Sequence, residues 1–349
     1  MLIINNITIK QRINNMNKLK TLGFSALAGS LALTSAYAGE VTVAGGASMT
    51  VQHIGNNAAN SGKTFKMGNQ LTFTGAGELD NGMNVKISFV LDQGDDSTGA
   101  AVTDAASVAS NGPFDSHSIT VSSDTWGSLK MDGEGGSSAQ AAVDTTAAGD
   151  LWDNSLGITT SEDPKASAGA SGMLTYSLPS VVDGFAANIS YTPKGSGADS
   201  STAFAVIYTG VEGLSLTYAS GESNGTAGSE ADAQTMKASY AYGPITVGYS
   251  ETEYDGKNTS VDEDQEVTSY SISYSVTDAI SLSYGKDEIS EPNDTDDADI
   301  EVDGISASYT AGGMTISGSM ITGDNVDMST SANANDSVEK WALTASFAF

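Results

Sequence analysis

Val267-Thr268-Ser269-Tyr270-Ser271-Ile272-Ser273-Tyr274-Ser275-Val276-Thr277-Asp278-Ala279-Ile280-Ser281-Leu282-Ser283-Tyr284 decides the fold. Tyr270, Ile272, Tyr274 and Val276 point one way, while Ser271, Ser273 and Ser275 point the other. Period-two alternation belongs to a strand with one apolar and one polar face. Thr277-Asp278 interrupts it, and Ile280, Leu282 and Tyr284 resume it. The stretch therefore reads as two strands joined by a tight turn. The polar face is unusual, because it carries serine where a soluble sheet would carry charge.

The same pattern extends in both directions. Towards the C-terminus it recurs in Ile305, Ala307 and Tyr309, then in Met314 and Ile316. Towards the N-terminus it appears in Val41, Val43, Ala47, Met49 and Val51, in Phe65, Met67, Leu71 and Phe73, and in Met83, Val85, Ile87, Phe89 and Leu91. Sixteen strands are expected near 40–53, 63–78, 83–92, 116–123, 128–133, 172–178, 185–192, 202–209, 213–220, 234–242, 245–253, 267–276, 279–287, 301–310, 313–321 and 337–349. In 202–209 the phase is ambiguous, with Phe204, Val206 and Tyr208 competing against Ala203, Ala205 and Ile207.

Connection lengths alternate. Asp80-Asn81-Gly82, Ser123 to Gly127, Gly210 to Gly213, Gly243-Pro244, Thr277-Asp278 and Ala311-Gly312-Gly313 are short. Asn-Gly and Gly-rich pairs supply the positive φ of tight hairpins. The connections 54–62, 93–115, 134–171, 193–201, 221–233, 254–266, 288–300 and 322–336 are long, polar and acidic. A soluble β-sandwich also alternates, but it would not give sixteen strands with short and long connections in turn. The expected fold is all-β: a transmembrane antiparallel β-barrel of about sixteen strands, with short periplasmic turns and long extracellular loops. An even count brings both termini to the short-turn side, where the last strand closes on the first.

The N-terminus fits export. Met16 to Lys20 form a basic n-region, Leu22 to about Leu33 an apolar core, and Ala36-Tyr37-Ala38 a small-residue cleavage site. The apolar run is shorter than the roughly 20 residues that span a bilayer. Residues 16–38 are read as a signal peptide cleaved near Ala38, residues 1–15 as an upstream extension ahead of a start at Met16, and 39–349 as the barrel.

Of the 14 Lys+Arg residues, Lys10, Arg12, Lys18 and Lys20 precede the cut, and none of the 43 acids does. Ten lysines against 43 acids leave the mature chain at −33, with no arginine. That excludes a nucleic-acid partner, which needs cationic phosphate contacts. Cysteine is absent, so disulfides and thiolate metal sites are too. His53 and His117 are the only histidines, in unrelated contexts, and no motif supports catalysis. No cofactor is implied. Asp294, Asp296, Asp297 and Asp299 form the densest acidic run, but the EF-hand spacing fails. A solvated rim loop and a weak divalent-cation site are both open there.

Three segments carry a family resemblance. Trp341-Ala342-Leu343-Thr344-Ala345-Ser346-Phe347-Ala348-Phe349 resembles the terminal strand that outer-membrane barrels present to their assembly machinery, with Trp341, Leu343, Phe347 and Phe349 as the signal residues. Ile119-Thr120-Val121 through Trp126-Gly127-Ser128-Leu129-Lys130-Met131 resembles the hairpin before the constriction loop of Gram-negative general porins. Leu174-Thr175-Tyr176-Ser177-Leu178-Pro179, with Gly184-Phe185 and Tyr191, is similar to another hairpin of that family. The resemblance implies a sixteen-stranded homotrimer in outer-membrane lipid, passing small hydrophilic solutes and ions. It also implies that 134–171 folds inward to narrow the pore. The chain departs from the family in lacking the usual lumenal arginines.

Within that loop Ser138 to Asp144 suggests a short helix with a serine cap, ending near Gly149. The expected constriction residues are Glu134, Asp144, Asp150 and Asp153, opposed by Lys66, Lys86 and Lys130. Parity places those lysines in the lumen, since a lysine on the lipid face near midplane would cost about 2–4 kcal/mol. The acids outnumber the lysines, so cation preference is expected. The rival readings are a structural or adhesive barrel with cation-binding acidic loops, and a substrate-selective channel.

Overall fold

The computed structural model describes residues 39–56, 61–92, 96–97, 114–152, 156, 158, 164–169, 171–195, 200–224, 230–257, 264–292, 299–326 and 337–349. Residues 1–38, with the expected signal peptide, lie outside the described residues, as do Asp153, Asp294, Asp296 and Asp297.

The strands are β1 (Glu40–Gly55), β2 (Gly62–Glu78), β3 (Asn84–Asp92), β4 (Asp96–Ser97), β5 (Ser116–Ser123), β6 (Gly127–Glu134), β7 (Met173–Ser177), β8 (Phe185–Thr192) and β9 (Ser200–Tyr208). They continue with β10 (Leu214–Asn224), β11 (Ala231–Tyr242), β12 (Ile245–Gly256), β13 (Gln265–Ser275), β14 (Ile280–Ser290), β15 (Ile300–Ala311), β16 (Met314–Asp324) and β17 (Ser337–Ala348). β4 is a two-residue piece beside Lys66 and Met67 of β2, in the expected 93–115 connection. The other sixteen are the staves of the barrel, one for each expected window. All pair antiparallel with their neighbours, and β17 pairs with β1 from Gly46↔Ala348 to Gly55↔Glu339. Gly45 and Phe349 exchange two backbone hydrogen bonds of 2.7 and 3.0 Å. Closure removes both sheet edges, which a bilayer requires.

The outer face carries the exposed apolar side chains, among them Val43, Met49, Phe65, Ile119, Tyr218, Tyr240, Ile272, Tyr284 and Leu343. The inner face is mostly hydroxyl, with cross-strand pairs such as Ser283–Ser306 at 2.6 Å and Thr50–Thr344 at 2.9 Å. Phe349 lies on the outer face over Gly45, where a Cβ would stand 2.5 Å from its ring.

Several strands run beyond their expected extracellular ends. β10 reaches Asn224, β12 reaches Gly256 and β14 reaches Ser290. There the outer face changes from apolar to acidic, so the alternation fades while the ladder continues through Glu222↔Asp232, Glu253↔Glu266 and Glu288↔Glu301. Glu222, Asp232, Asp255, Glu266 and Glu288 were expected in loops and stand on strands instead.

Candidate functional site: the lumen and its inner loop

The connection between β6 and β7 lies against the inner face of the wall. Its described residues form no strand ladder, so their N–H groups need other acceptors. Wall side chains supply them. Ala139 N donates to Ser190 Oγ of β8 (2.8 Å), Ala147 N to Ser250 Oγ of β12 (2.7 Å) and Ala148 N to Ser269 Oγ of β13 (2.9 Å). Leu151 N donates to the buried Asp287 Oδ2 of β14 (2.7 Å). The return leg repeats the device, with Lys165 N on Gln265 Oε1 (2.9 Å) and Ala168 N on Ser223 Oγ (3.3 Å). Gln140 ties the legs together and to the wall, accepting from Ser167 N (2.8 Å) and donating to Thr235 Oγ1 (2.9 Å).

Apolar contacts add to this. Ala139 and Val143 rest on Ala203, Ala205 and Ala219. Leu156 and Ile158 are buried with Ile54, Val267, Ile289, Ile300, Val302, Val326 and Val338, and Leu151, Trp152 and Ile321 pack against them. Glycines admit the loop backbone. Gly248, Ser271, Gly285, Gly304, Ile321, Lys340 and Ile54 occupy one continuous rung from β12 round to β1. A Cβ on Gly285 would stand 2.5 Å from Ala148 Cβ, and one on Gly304 3.4 Å from Leu151 Cδ2. Mid-strand glycine marks such an approach.

The expected short helix is a single turn. Ser138 Oγ does accept Ala141 N (3.0 Å) and Ser138 O accepts Ala142 N (2.9 Å). The succession stops there: Val143 N turns back to Gln140 O (3.0 Å), Thr146 N goes to Asp150, and from Ala147 onward N–H groups reach wall hydroxyls.

The expected site residues fall in different places. Asp144 and Asp150 are on the inner leg. Asp150 closes a small ring: its Oδ1 accepts from Thr146 N and its own N donates to Thr146 Oγ1, both at 2.8 Å. Burial pushes the Asp144 carboxyl up to about 6; Asp150 adds to the rise and Lys237 opposes it. Lys237 Nζ donates to Thr145 O. Glu134 stands apart from these acids. A bulge at the His117/Ser118 step places it opposite His117, whose ring stacks at 6.2 Å on Phe89 of the outer face. His117 Nδ1 and Glu134 Oε2 are 4.0 Å apart.

Lys66, Lys86 and Lys130 have lumenal parity but do not cluster. Lys86 and Lys130 share a rung with Thr120 between them. Lys66 is ten residues along β2 from Ala76, the rung neighbour of Lys86. That is roughly 33 Å along the strand at about 3.3 Å per residue. His53 sits on the outer face with Trp341 at 6.2 Å, its Nδ1 2.9 Å from Gly62 O. Trp341, Leu343 and Phe349 are exposed on that face and Phe347 shares their parity. Asp299 is exposed beside β15, and no three potential metal ligands are grouped among the described residues.

The acceptors Ser190, Ser250, Ser269, Gln265 and Asp287 were not singled out from sequence. Their signal was there in two forms: lumen-parity glycines within strands, and apolar residues out of phase, such as Val267, Ile289 and Val302.

A closed sixteen-stave barrel, apolar outside, hydroxyl-lined inside and partly filled by its own loop, defines a transmembrane β-barrel channel. The Gram-negative porin profile matches residues 24–325, and the chain belongs to that family of non-enzymatic outer-membrane channels. Solved porins share the fold. One refined at 1.8 Å resolution is 16% identical with TM-score 0.62, covering 89% of this chain and 100% of its own. An anion-selective porin from Comamonas acidovorans is 15% identical with TM-score 0.62, covering 88% and 99%. A mutant of Rh. blastica porin is 14% identical with TM-score 0.60, covering 88% and 100%. No curated protein matches the sequence.

Proposed function

We propose that this porin is a passive diffusion channel for small hydrophilic solutes and ions, with the 134–171 loop setting its aperture. The observation that carries the reading is the docking of that loop on the inner face from β8 to β14, through Ser190, Ser250, Ser269 and Asp287. The free passage then lies towards the opposite wall, where the side chain of Lys130 is 44% exposed within the lumen. Cation preference, from the mature charge of −33, is modest. Acids at the mouth act through a Debye length of roughly 8 Å at 0.15 M salt. Inside, Asp144 faces Lys237 and Asp132 faces Lys130, which brings the lumen near balance.

The homotrimer belongs to the same reading. Tyrosine marks the water–lipid boundary of barrels. Outer-face tyrosines run from Tyr176 on β7 to Tyr309 on β15, and the outer face of β1 to β6 has none. That arc suits another copy better than lipid. Migration of detergent-extracted, unheated protein at monomer size would remove the trimer. Cleavage near Ala38 is proposed with it.

Planar-bilayer recording is the decisive experiment. Stepwise, ohmic openings are expected, with a reversal potential favouring K⁺ under a KCl gradient. Replacing Asp144, Asp150 and Asp153 with Asn should reduce that preference. Folded protein that gives no steps would favour the structural or adhesive barrel, and saturable flux of one solute class would favour a selective channel.

A further inference from the structure

We propose that the outer wall from β12 to β15 is a lipid-selecting surface, which draws the bilayer down to roughly 15 Å and is best covered by short acyl chains.

The height of the apolar belt follows from where the first charged side chain stands on the outward face of each strand. On β12 the outward series, from the short-turn end towards the loops, is Ile245, Val247, Tyr249 and then Glu251. On β14 it is Ile280, Leu282, Tyr284 and then Lys286, and on β15 it is Tyr309, Ala307, Ile305 and then Asp303. On β13, between them, Tyr270 is followed by Thr268 and Glu266. Six residues thus carry β12, β14 and β15 from the first apolar position to a charge. At about 3.3 Å per residue and a tilt of about 35–45°, that is a rise of about 15 Å. On β1 the outward face stays uncharged from Val41 to Val51. Those ten residues rise about 25 Å, the usual height of a barrel's belt. The short arc looks away from the proposed contact with another copy, because β12 lies across the barrel from β3.

Both edges of the short belt are marked. On the short-turn side Glu212 and Asp278 are exposed, so sliding the barrel to present more wall to lipid would immerse these acids. On the loop side three outward side chains reach the same way. Tyr249 Oη donates to Glu251, and Tyr218 Oη of β10 donates to Gln234 Oε1 of β11 (3.2 Å). Lys286 Nζ lies 3.3 Å from Glu288 Oε2 and 2.9 Å from Glu301 Oε2. Each partner stands one outward step nearer the loops. Tyrosine hydroxyls seek the water–lipid boundary, and a lysine stem lies along apolar wall while its head leaves it. The boundary over this arc is therefore at the level of Tyr249 and Lys286. A full-thickness bilayer would set Lys286 close to its midplane, where barrels tolerate charge least, with Glu251 and Asp303 at similar depth. Thinning costs little for each ångström of mismatch, so the lipid yields rather than the wall.

The chain has no cysteine, so single labels report depth. Glu251→Cys and Val247→Cys are compared in dioleoylphosphatidylcholine vesicles with membrane-impermeant maleimide on both sides. Ready labelling at position 251 and protection at position 247 are expected. Protection of both positions means a bilayer of full thickness and overturns the proposal. Labelling of both means that no acyl layer covers the arc, and overturns it too. The second readout is the lifetime of the inserted protein in urea, in dilauroyl and in dioleoyl vesicles. Wild-type protein should last about tenfold longer in the short-chain lipid. Glu251→Leu, Lys286→Leu and Asp303→Leu together should bring that ratio towards one, and an unchanged ratio overturns the proposal. Where the triple variant does not insert, the labelling pair decides. Neither readout uses conductance, so failure of the channel reading and failure of this surface are told apart.

Discussion

Replacing Gly285 with alanine tests whether the wall glycines hold the inner loop in place. The added Cβ would stand 2.5 Å from Ala148 Cβ and 3.1 Å from its Cα. Ordinary carbon contact needs about 3.5 Å or more, so the loop must move by roughly 1 Å. The hydrogen bonds from Ala147, Ala148 and Leu151 are now 2.7, 2.9 and 2.7 Å long. A lift of that size takes them past useful length. Losing two neutral bonds and one to a carboxylate would cost roughly 4 kcal/mol. Absorbing an extra methyl in place costs about 1–3 kcal/mol, so this route wins and the loop remains docked under strain. The equilibrium between docked and lifted loop then shifts by about 5–150-fold. Single-channel recording should show a lower main conductance, because the loop is pressed towards the passage, together with new flicker. Ala148→Gly in the same chain should restore much of the wild-type trace. Gly318→Ala is the control, since its Cβ would meet nothing closer than 3.9 Å. Wild-type conductance and noise in Gly285→Ala would refute the reasoning.

Leu156→Ala should loosen the far end of the loop by about 2–5 kcal/mol, because Leu156 is fully buried in the inner apolar cluster. Limited proteolysis should cut the loop faster while the barrel keeps its heat resistance, and equal cleavage would count against the anchor. Asp144 carries a pH signature. Its carboxyl is raised from 3.8 to about 6 in the folded protein, chiefly by burial. The folded loop therefore takes up a proton as pH falls through about 6, whereas the unfolded chain waits until about 4. Docking gains relative stability over that fall and loses it as pH rises again. Cation preference should drop over the same interval, as read from reversal potentials, and Asp144→Asn should abolish the step.

How much was legible in the sequence follows from which side of each strand faces what. Where the outer face meets lipid and the inner face meets water, as in β13 and β14, alternation is clean and the strands are plain. β9 was ambiguous for a physical reason: Phe204 faces outward, while Ala203 and Ala205 lie buried beneath Ala139 of the loop. Both faces are apolar because both are covered. The acidic strand ends failed in another way: above the lipid the outer face turns acidic while the inner face carries buried apolar residues such as Val267, Ile289 and Ile300, so the phase inverts and the backbone ladder identifies them. Site residues were harder still. Parity found the lumenal lysines, but height along a strand depends on register, and ten residues of β2 separate Lys66 from the rung of Lys86. Glu134 shows how a single bulge defeats parity: one extra residue turns it towards His117 on the outer face. The loop's position depended on side chains that read as ordinary wall. Ser250 and Ser269 differ from their neighbours only in having a loop N–H within reach. What distinguishes such positions in advance is the company they keep. Gly248 and Gly285, together with Val267 and Ile289, break a hydroxyl face where an inner partner must come close, and such breaks on a lumen face predict where a loop docks.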